Sequence, residues 1–212
     1  MAFILDGTTG IATVDGSVSA PSQRGQDSNS GISYAADTIK FSTNGVERMA
    51  ITNSGVSGIS TGITVAAQFR LTSALSVPNS YTTLTSNWAN VGFSVGSFSD
   101  PSSGVFSFPS TGIYSVRFSG YFEDTGSTPF GVLRIQKTSD NNTYSAIAAG
   151  LNSNGDVGTY DYCGITVESF VDVTSTTNDK VYFEAYNQNT ATLDGNANQN
   201  RTYVTFIRLG DT

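Results

Sequence analysis

The sequence contains no histidine, and this absence removes more functions than any other feature of its composition. Without histidine there is no Ser-His-Asp or Cys-His catalytic arrangement, no zinc site built on imidazole and no histidine pH switch. The single cysteine, Cys163, excludes an intrachain disulfide and a cysteine-based metal cluster. The three lysines, Lys40, Lys137 and Lys180, lie outside any glycine-rich phosphate-binding loop. We therefore expect neither an enzyme nor a bound cofactor.

Charge and long apolar runs are also scarce. Only 13% of the residues are charged, and the net charge of −7 argues against nucleic acid as a partner. No apolar run approaches the length of a membrane span, so we expect no insertion into a membrane. The opening MAFILDGTTG lacks the basic and long apolar regions of a signal peptide, so we expect synthesis and assembly in a cytoplasm.

The residues that are abundant favour strands and turns. The 212-residue chain contains 22 Gly, 13 Phe and 10 Tyr but only 5 Pro, and no segment has a convincing helical period. Turn signals recur at short intervals, as at Asp100-Pro101, Asn154-Gly155 and Asn178-Asp179. Many short strands separated by such turns predict an all-β sandwich or jelly roll.

Three segments show the alternation of half-buried strands: residues 113–122, 163–173 and 181–186. The last candidate strand, residues 202–209, differs because both of its faces are apolar or aromatic. Val204 and Phe206 lie on one face, and the other face carries Tyr203, Ile207 and Leu209. A strand of this kind needs cover on both sides, which a second sheet and a neighbouring subunit would supply.

The chain divides by composition into three parts. Residues 1–20 are too short for a core and are interpreted as an attachment peptide, with a frayed terminus as the alternative. Residues 21–62 are interpreted as a β-rich intertwined stalk, with a hairpin turn at Asn44-Gly45 and a linker over residues 54–62. Short hairpins are marginal alone but become stable when several chains share their apolar faces. Residues 63–212 form the main domain.

The main domain resembles C1q-like globular domains. Residues 104–118 (GVFSFPSTGIYSVRF) match the family's Gly-x-Phe, Pro, Gly-x-Tyr, Phe order. Residues 178–183 (NDKVYF) resemble its Gly-Asp-x-Val strand, with Asn178 where glycine is usual. Residues 202–209 (TYVTFIRL) resemble the closing strand of the C1q and tumour-necrosis-factor jelly rolls. The resemblance covers residues 65–210 and implies a ten-stranded jelly roll that forms homotrimers. By position, it places four residues at the threefold axis: Tyr203, Thr205, Ile207 and Leu209.

The N-terminal third resembles a module of tail-fibre and other virion proteins of tailed phages, including those of cyanobacteria. Residues 41–51 (FSTNGVERMAI) carry its Asn-Gly-x-Glu-Arg-Met core, and residues 5–11 (LDGTTGI) resemble the opening of similar proteins. The resemblance implies a virion protein whose N-terminus binds other capsid or tail proteins. The residues that we expect to make this attachment are Phe3, Ile4, Leu5 and Ile11.

Exposed aromatic residues are the candidates for a binding surface, since they stack on sugars. The candidates are Trp88, Tyr81, Tyr121, Tyr160, Tyr162 and Tyr186, with Trp88 equally placed to join the core. Tyr160, Asp161 and Tyr162 precede a strand and are the predicted receptor contact. The oxygen-rich residues 194–198 lack the glutamate and the later glycine of a calcium loop, so we predict no metal site there. Cys163 is interpreted as a small buried hydrophobe.

These observations predict a structural virion protein, a trimeric fibre or capsid decoration protein whose jelly-roll knob contacts a host surface glycan or protein. Head fibre and tail fibre remain open alternatives. The alternative function is a cellular carbohydrate-binding module or adhesin. A polysaccharide-cleaving enzyme is a third possibility, but most Asp residues adjoin Gly, Asn or Pro, where they make turns.

Overall fold

The computed structural model describes residues 16–24, 26–58, 62–124, 130–153 and 161–212. Within these ranges the regular structure is entirely β, and no helix there is long and apolar enough to cross a membrane. The chain divides into two compact units, residues 1–62 and residues 63–212.

The described residues of the N-terminal unit form seven short strands. They are β1 (Gly16–Ser17), β2 (Ala20–Pro21), β3 (Gln23–Arg24), β4 (Gly31–Ala35), β5 (Thr38–Thr43), β6 (Val46–Thr52) and β7 (Gly55–Ser57). Strands β1 and β2 form a small ribbon, and β3 to β7 form a five-stranded antiparallel sheet in chain order. The predicted linker over residues 54–62 is therefore wrong in its first half, because β7 pairs with β6.

The predicted hairpin at Asn44-Gly45 is confirmed. Thr43 pairs with Val46, which leaves a two-residue turn between β5 and β6. Both turn residues have positive φ, 51° at Asn44 and 72° at Gly45. This is the backbone of a type I′ turn, whose twist matches that of the two strands.

The apolar side chains of the N-terminal sheet share one face. Cross-strand pairing aligns Tyr34, Ile39, Ile51 and Val56 in a single row. Ile39, Ile51 and Val56 are exposed, and Tyr34 is half-buried. The opposite face buries small residues instead, namely Ser33, Ser42 and Ala50. In a single chain this sheet thus leaves its apolar face open to solvent.

The second unit is a two-layer sandwich. Its strands are β8 (Ala66–Leu71), β9 (Ser73–Val77), β10 (Thr82–Thr83), β11 (Trp88–Val95), β12 (Phe106–Ser107), β13 (Gly112–Asp124), β14 (Gly131–Thr138), β15 (Ser145–Asn152), β16 (Asp161–Val173), β17 (Lys180–Asn187), β18 (Ala191–Asn196) and β19 (Tyr203–Gly210). The five-stranded sheet has the order β10-β17-β14-β15, with β12 also on β17. The seven-stranded sheet has the order β11-β8-β19-β13-β18-β9, with β16 also on β13.

This arrangement confirms the predicted jelly roll but corrects its strand count. The described residues of the unit form twelve strands where ten were expected. Part of the difference arises at Thr72, where the chain bends between β8 and β9 and its amide bonds the Asn87 carbonyl at 2.8 Å. Two other strands, β10 and β12, are two-residue pairings on β17.

Aromatic side chains fill the core between the sheets. Phe206 lies at its centre, with ring centroids 4.6 Å from Phe98, 5.2 Å from Phe106 and 6.1 Å from Phe183. The alternation predicted for residues 113–122, 163–173 and 181–186 is confirmed, and so is the separate face of Val204 and Phe206. The core takes alternate residues from these strands: Tyr114, Val116, Phe118, Phe122, Cys163, Ile165, Val167, Val171, Val173, Val181, Phe183, Ala185, Val204 and Phe206. Burial also raises the pKa of the Cys163 thiol, which agrees with its interpretation as a small buried hydrophobe.

Trp88 is half-buried and packs against the core. Its ring packs 5.6 Å from Phe106 in an edge-to-face arrangement, and its indole Nε1 donates to the Leu84 carbonyl at 2.9 Å. Of the two alternatives that the sequence left open for Trp88, packing against the core is the one that the structure supports.

Asp179, in the segment that resembles the C1q-like Gly-Asp-x-Val strand, closes the turn before β17. Its carboxylate accepts hydrogen bonds from the amides of Thr174 and Ser175 at 2.9 and 2.8 Å. Lys137 lies 3.0 Å from its other oxygen. Burial alone would raise the pKa of Asp179, but the hydrogen bonds and Lys137 together hold it below its ordinary value.

Candidate functional site: the outer face of the seven-stranded sheet

The seven-stranded sheet turns one face toward the core, and the other is here called the outer face. Strand pairing aligns one row of residues across it: Phe170, Ser115, Ile207, Ala66 and Val95. Phe170 is 70% exposed, although phenylalanine is usually buried. We call this part of the outer face the apolar end.

The apolar end contains a groove of about 520 Å³. The lining residues are Ile63, Ala66, Ala67, Gln68, Phe93, Val95, Thr205 and Ile207. Phe93 is 60% exposed, and Ile63 and Val95 are also exposed. Such a concentration of exposed apolar side chains is typical of a surface that binds another protein.

The structure places the four predicted trimer residues on this outer face. Val204 and Phe206 point into the core, so Tyr203, Thr205, Ile207 and Leu209 point the other way. The first three are half-buried within one chain, and Leu209 is exposed. Their contact with other copies of the chain stays a prediction.

The middle of the outer face is polar and internally hydrogen-bonded. The Gln68 amide donates to the Thr205 hydroxyl at 2.8 Å and accepts from the Asn200 amide at 2.5 Å. Ser119 and Thr166 share a hydrogen bond of 2.9 Å across β13 and β16. These polar groups are hydrogen-bonded to one another. They separate the apolar end from a pocket at the opposite end of the outer face.

The pocket beyond the polar region is lined by two tyrosines and three polar residues. The rings of Tyr121 and Tyr162 stack with centroids 5.4 Å apart and an interplanar angle of 16°. Glu123, Asn200 and Arg201 complete the lining of a cavity of about 570 Å³. Tyr162 is 53% exposed. We call this cavity the tyrosine pocket.

Arg201 is held in position by an ion pair with a buried carboxylate. Its guanidinium forms an ion pair with Asp194, which is buried in β18, and this hydrogen bond raises the pKa of Arg201 above its ordinary value. Asn196, two residues on, accepts from the amides of Asn198 and Gln199 at 2.8 and 3.0 Å. The oxygen atoms considered for calcium thus serve an ion pair and a turn.

No metal-binding cluster of three or more His, Cys, Asp or Glu residues occurs in the part of the chain that the structure describes. The predicted attachment residues Phe3, Ile4, Leu5 and Ile11 lie outside the described residues.

Only part of the predicted receptor contact can be placed. Tyr160 lies outside the described residues, and Asp161 is the first residue of β16. Tyr162 lies in the tyrosine pocket. Sequence reasoning missed Glu123, Asn200 and Arg201 as its neighbours. The alternation along β13 puts Tyr121 and Glu123 on the outer face, but it does not reveal that β16 brings Tyr162 beside them.

A second aromatic cluster lies on the five-stranded sheet of the jelly-roll unit. Tyr81 and Tyr186, both sugar-stacking candidates, have ring centroids 5.1 Å apart. The Arg134 guanidinium lies 3.5 Å above the Tyr81 ring, and Tyr186 donates to Asn79 at 2.7 Å. These contacts engage the Tyr81 ring and the Tyr186 hydroxyl within the chain itself.

Comparison with known proteins defines the fold alone. No family model and no curated protein matches the sequence. Among solved structures, Eiger TNF from S. frugiperda is similar, with a TM-score of 0.56 and 14% identity over 71% of this chain and 96% of that one. Murine APRIL at pH 8.0 is similar with a TM-score of 0.50 and 12% identity, over 68% of this chain and 98% of that one. The sandwich of residues 63–212 is thus a TNF-like jelly roll.

Proposed function

We propose that this chain is a trimeric structural protein of a tailed-phage particle, a fibre or capsid decoration protein. Three jelly-roll domains associate through the apolar ends of the outer faces of their seven-stranded sheets and form a knob. The N-terminal residues attach the protein to the particle, and the knob projects outward and contacts the host surface.

The observation that carries the trimer is the apolar end of the outer face. Ile207, Phe93 and Phe170 all lie there, and each has apolar surface open to solvent. Leaving such surface in water costs about 25 cal/mol for each Å² that a partner would cover. Other copies of the chain are the proposed cover, because the resemblance to C1q-like domains implies a trimer through β19, the strand that contains Ile207.

The N-terminal sheet supports the same assembly independently. Its apolar face, which carries Ile39, Ile51 and Val56, is uncovered within the unit. An isolated sheet of short strands is marginally stable when such a face is wet. In the proposed stalk, three copies turn these faces toward one another and bury them.

The assignment to a phage particle rests on residues 41–51 and their resemblance to tail-fibre modules. The attachment residues in this proposal are Phe3, Ile4, Leu5 and Ile11. A cellular adhesin or carbohydrate-binding module is the competing function, and it would place the same protein on a cell and not on a particle.

The experiment is to locate the chain in phage particles whose genome encodes it. Particles purified by density gradient are analysed by mass spectrometry and labelled with gold-conjugated antibody against the chain. We expect the chain among the particle proteins, with label at a fixed site on head or tail. Absence of the chain from purified particles would contradict the assignment.

A further inference from the structure

We propose that the tyrosine pocket binds a neutral, hydroxyl-rich saccharide. The inference rests on the proposed function, in which the jelly-roll domain contacts the host surface, and it names the chemical class of that contact. The pocket consists of Tyr121, Glu123, Tyr162, Asn200 and Arg201.

The tyrosine pair provides the apolar part of the site. Hexose rings present apolar C–H faces, and aromatic rings bury such faces while the surrounding hydroxyls keep polar partners. Tyr162 is half-exposed, and its parallel stack on Tyr121 orients it. A ring held in this way loses little conformational freedom when a sugar stacks against it.

The polar residues of the pocket provide both hydrogen-bond donors and acceptors. Glu123 offers carboxylate oxygens, and Asn200 and Arg201 offer N–H groups. Two of these side chains are already held in place, Asn200 by Gln68 and Arg201 by the buried Asp194. Saccharide hydroxyls both donate and accept, so this mixed and pre-ordered set of groups suits them.

The charge of the pocket selects a neutral saccharide over an anionic one. The positive charge of Arg201 is compensated by Asp194, and Glu123 adds a negative charge beside it. The chain as a whole carries a net charge of −7. A sialylated or sulfated sugar would meet repulsion here, whereas an uncharged sugar would not.

The volume of the cavity is sufficient for a small ligand. Its volume of about 570 Å³ lies in the ordinary range for small-molecule sites, about 300–1,000 Å³. Its lining is aromatic and polar, whereas the groove at the apolar end, which has a similar volume, is lined mainly by apolar residues. The pocket is also distinct from the apolar end, because Tyr121 lies six residues along β13 from Ser115, a span of about 20 Å.

The experiment screens the full chain on an array of neutral, sialylated and sulfated oligosaccharides and measures the affinity of each hit by calorimetry. The test variants are Tyr162→Ala and Glu123→Gln. The matched control is Tyr81→Ala, which removes another exposed tyrosine, on the other sheet. We expect binding to neutral saccharides, a loss of affinity of about tenfold or more in both test variants, and an unchanged affinity in the control.

Three outcomes would overturn the inference: no binding to any saccharide, binding only to anionic ones, or a loss in Tyr81→Ala that Tyr162→Ala does not share. The third outcome would place the sugar site at the Tyr81 cluster. If the chain binds no saccharide but binds a host protein, the host contact is with protein and the inference fails. Particle composition is measured separately. If the chain binds neutral sugars but is absent from particles, the saccharide site stands and the phage assignment is refuted. If the chain is a particle protein but binds no sugar, the phage assignment stands and the saccharide site is refuted.

Discussion

Phe206 and Ile207 are consecutive residues of β19, and their side chains lie on opposite faces of the same sheet. Phe206 is 0% exposed among the core aromatics, while Ile207 lines the open groove at the apolar end. The core accounts for the first residue within one chain. The second has comparable apolar character but lacks an equivalent cover, and this difference is the physical basis of the proposed trimer.

Replacing Ile207 with aspartate should dissociate the trimer. The substitution places three carboxylates where the proposed assembly buries three aliphatic side chains, which costs several kcal/mol in desolvation and repulsion. Ile207 is outside the core, so the domain should still fold. Because the N-terminal sheet is proposed to associate as well, the measurement uses residues 63–212, which form a separate compact unit, and sedimentation velocity of this variant should give a folded monomer.

The control for Ile207→Asp is Thr176→Asp, which adds the same charge at an exposed position in the turn between β16 and β17. It should keep the mass of the native protein. If residues 63–212 with Ile207→Asp remain fully trimeric, the placement of the apolar end at the axis is contradicted.

Truncating Phe206 to alanine should destabilise the jelly roll by about 3–5 kcal/mol, because it opens a cavity among Phe98, Phe106 and Phe183. The measurement is urea unfolding at a fixed protein concentration. Leu151→Ala is the control, since Leu151 is 64% exposed and its loss should cost less than about 0.5 kcal/mol. Equal effects of the two substitutions would show that the core is wrongly placed.

Gly45→Ala should destabilise the N-terminal sheet by about 1–2 kcal/mol. A Cβ at this position meets nothing closer than 3.8 Å, so the cost comes from the φ of 72° and not from a clash. Hydrogen exchange of the β5 and β6 amides measures the effect. Asn44→Gly, the matched change at the neighbouring residue, should leave protection the same or raise it; slower exchange in Gly45→Ala would argue against the type I′ turn.

Asp179→Asn should cost about 2–4 kcal/mol near neutral pH, because it leaves Lys137 without its carboxylate and weakens the hydrogen bonds from Thr174 and Ser175. The folded-state pKa of Asp179 is lowered from 3.8, so its contribution is complete above that value and is lost as the pH falls through the folded-state pKa. The gap in stability between native and variant proteins should thus shrink only in acid.

Denaturant unfolding at several pH values checks this prediction, with the exposed Asp172→Asn as the control. A gap that persists unchanged far below pH 3 would mean that the carboxylate charge is not what stabilises the turn.

The strands and their faces could be predicted from sequence because alternate residues of a sandwich strand face the core and the outer surface, and their polarity differs accordingly. In β13, Tyr114 and Phe118 are buried and Arg117 is exposed, as the alternation predicts. The same rule identified β19 as a strand with two apolar faces. The Asn44-Gly45 turn could be predicted for a different reason, because Asn and Gly are the residue types that tolerate positive φ.

The tyrosine pocket could not be predicted in the same way, because alternation gives a face but not a register. Tyr121 and Tyr162 are brought together by the pairing of β13 with β16, in which Glu123 lies opposite Tyr162. Arg201 joins them only because Asp194, seven residues earlier, holds its guanidinium. Glu184 is a similar case, since its burial depends on the Gln136 amide across the strand at 2.6 Å.

The mass of the full chain in solution, measured by light scattering after size-exclusion chromatography, tests the central claim most directly. The account predicts three times the 22.3 kDa of one chain, constant over a wide dilution range. A native protein with the mass of one chain would contradict it, because the apolar end would then face water in the functional molecule.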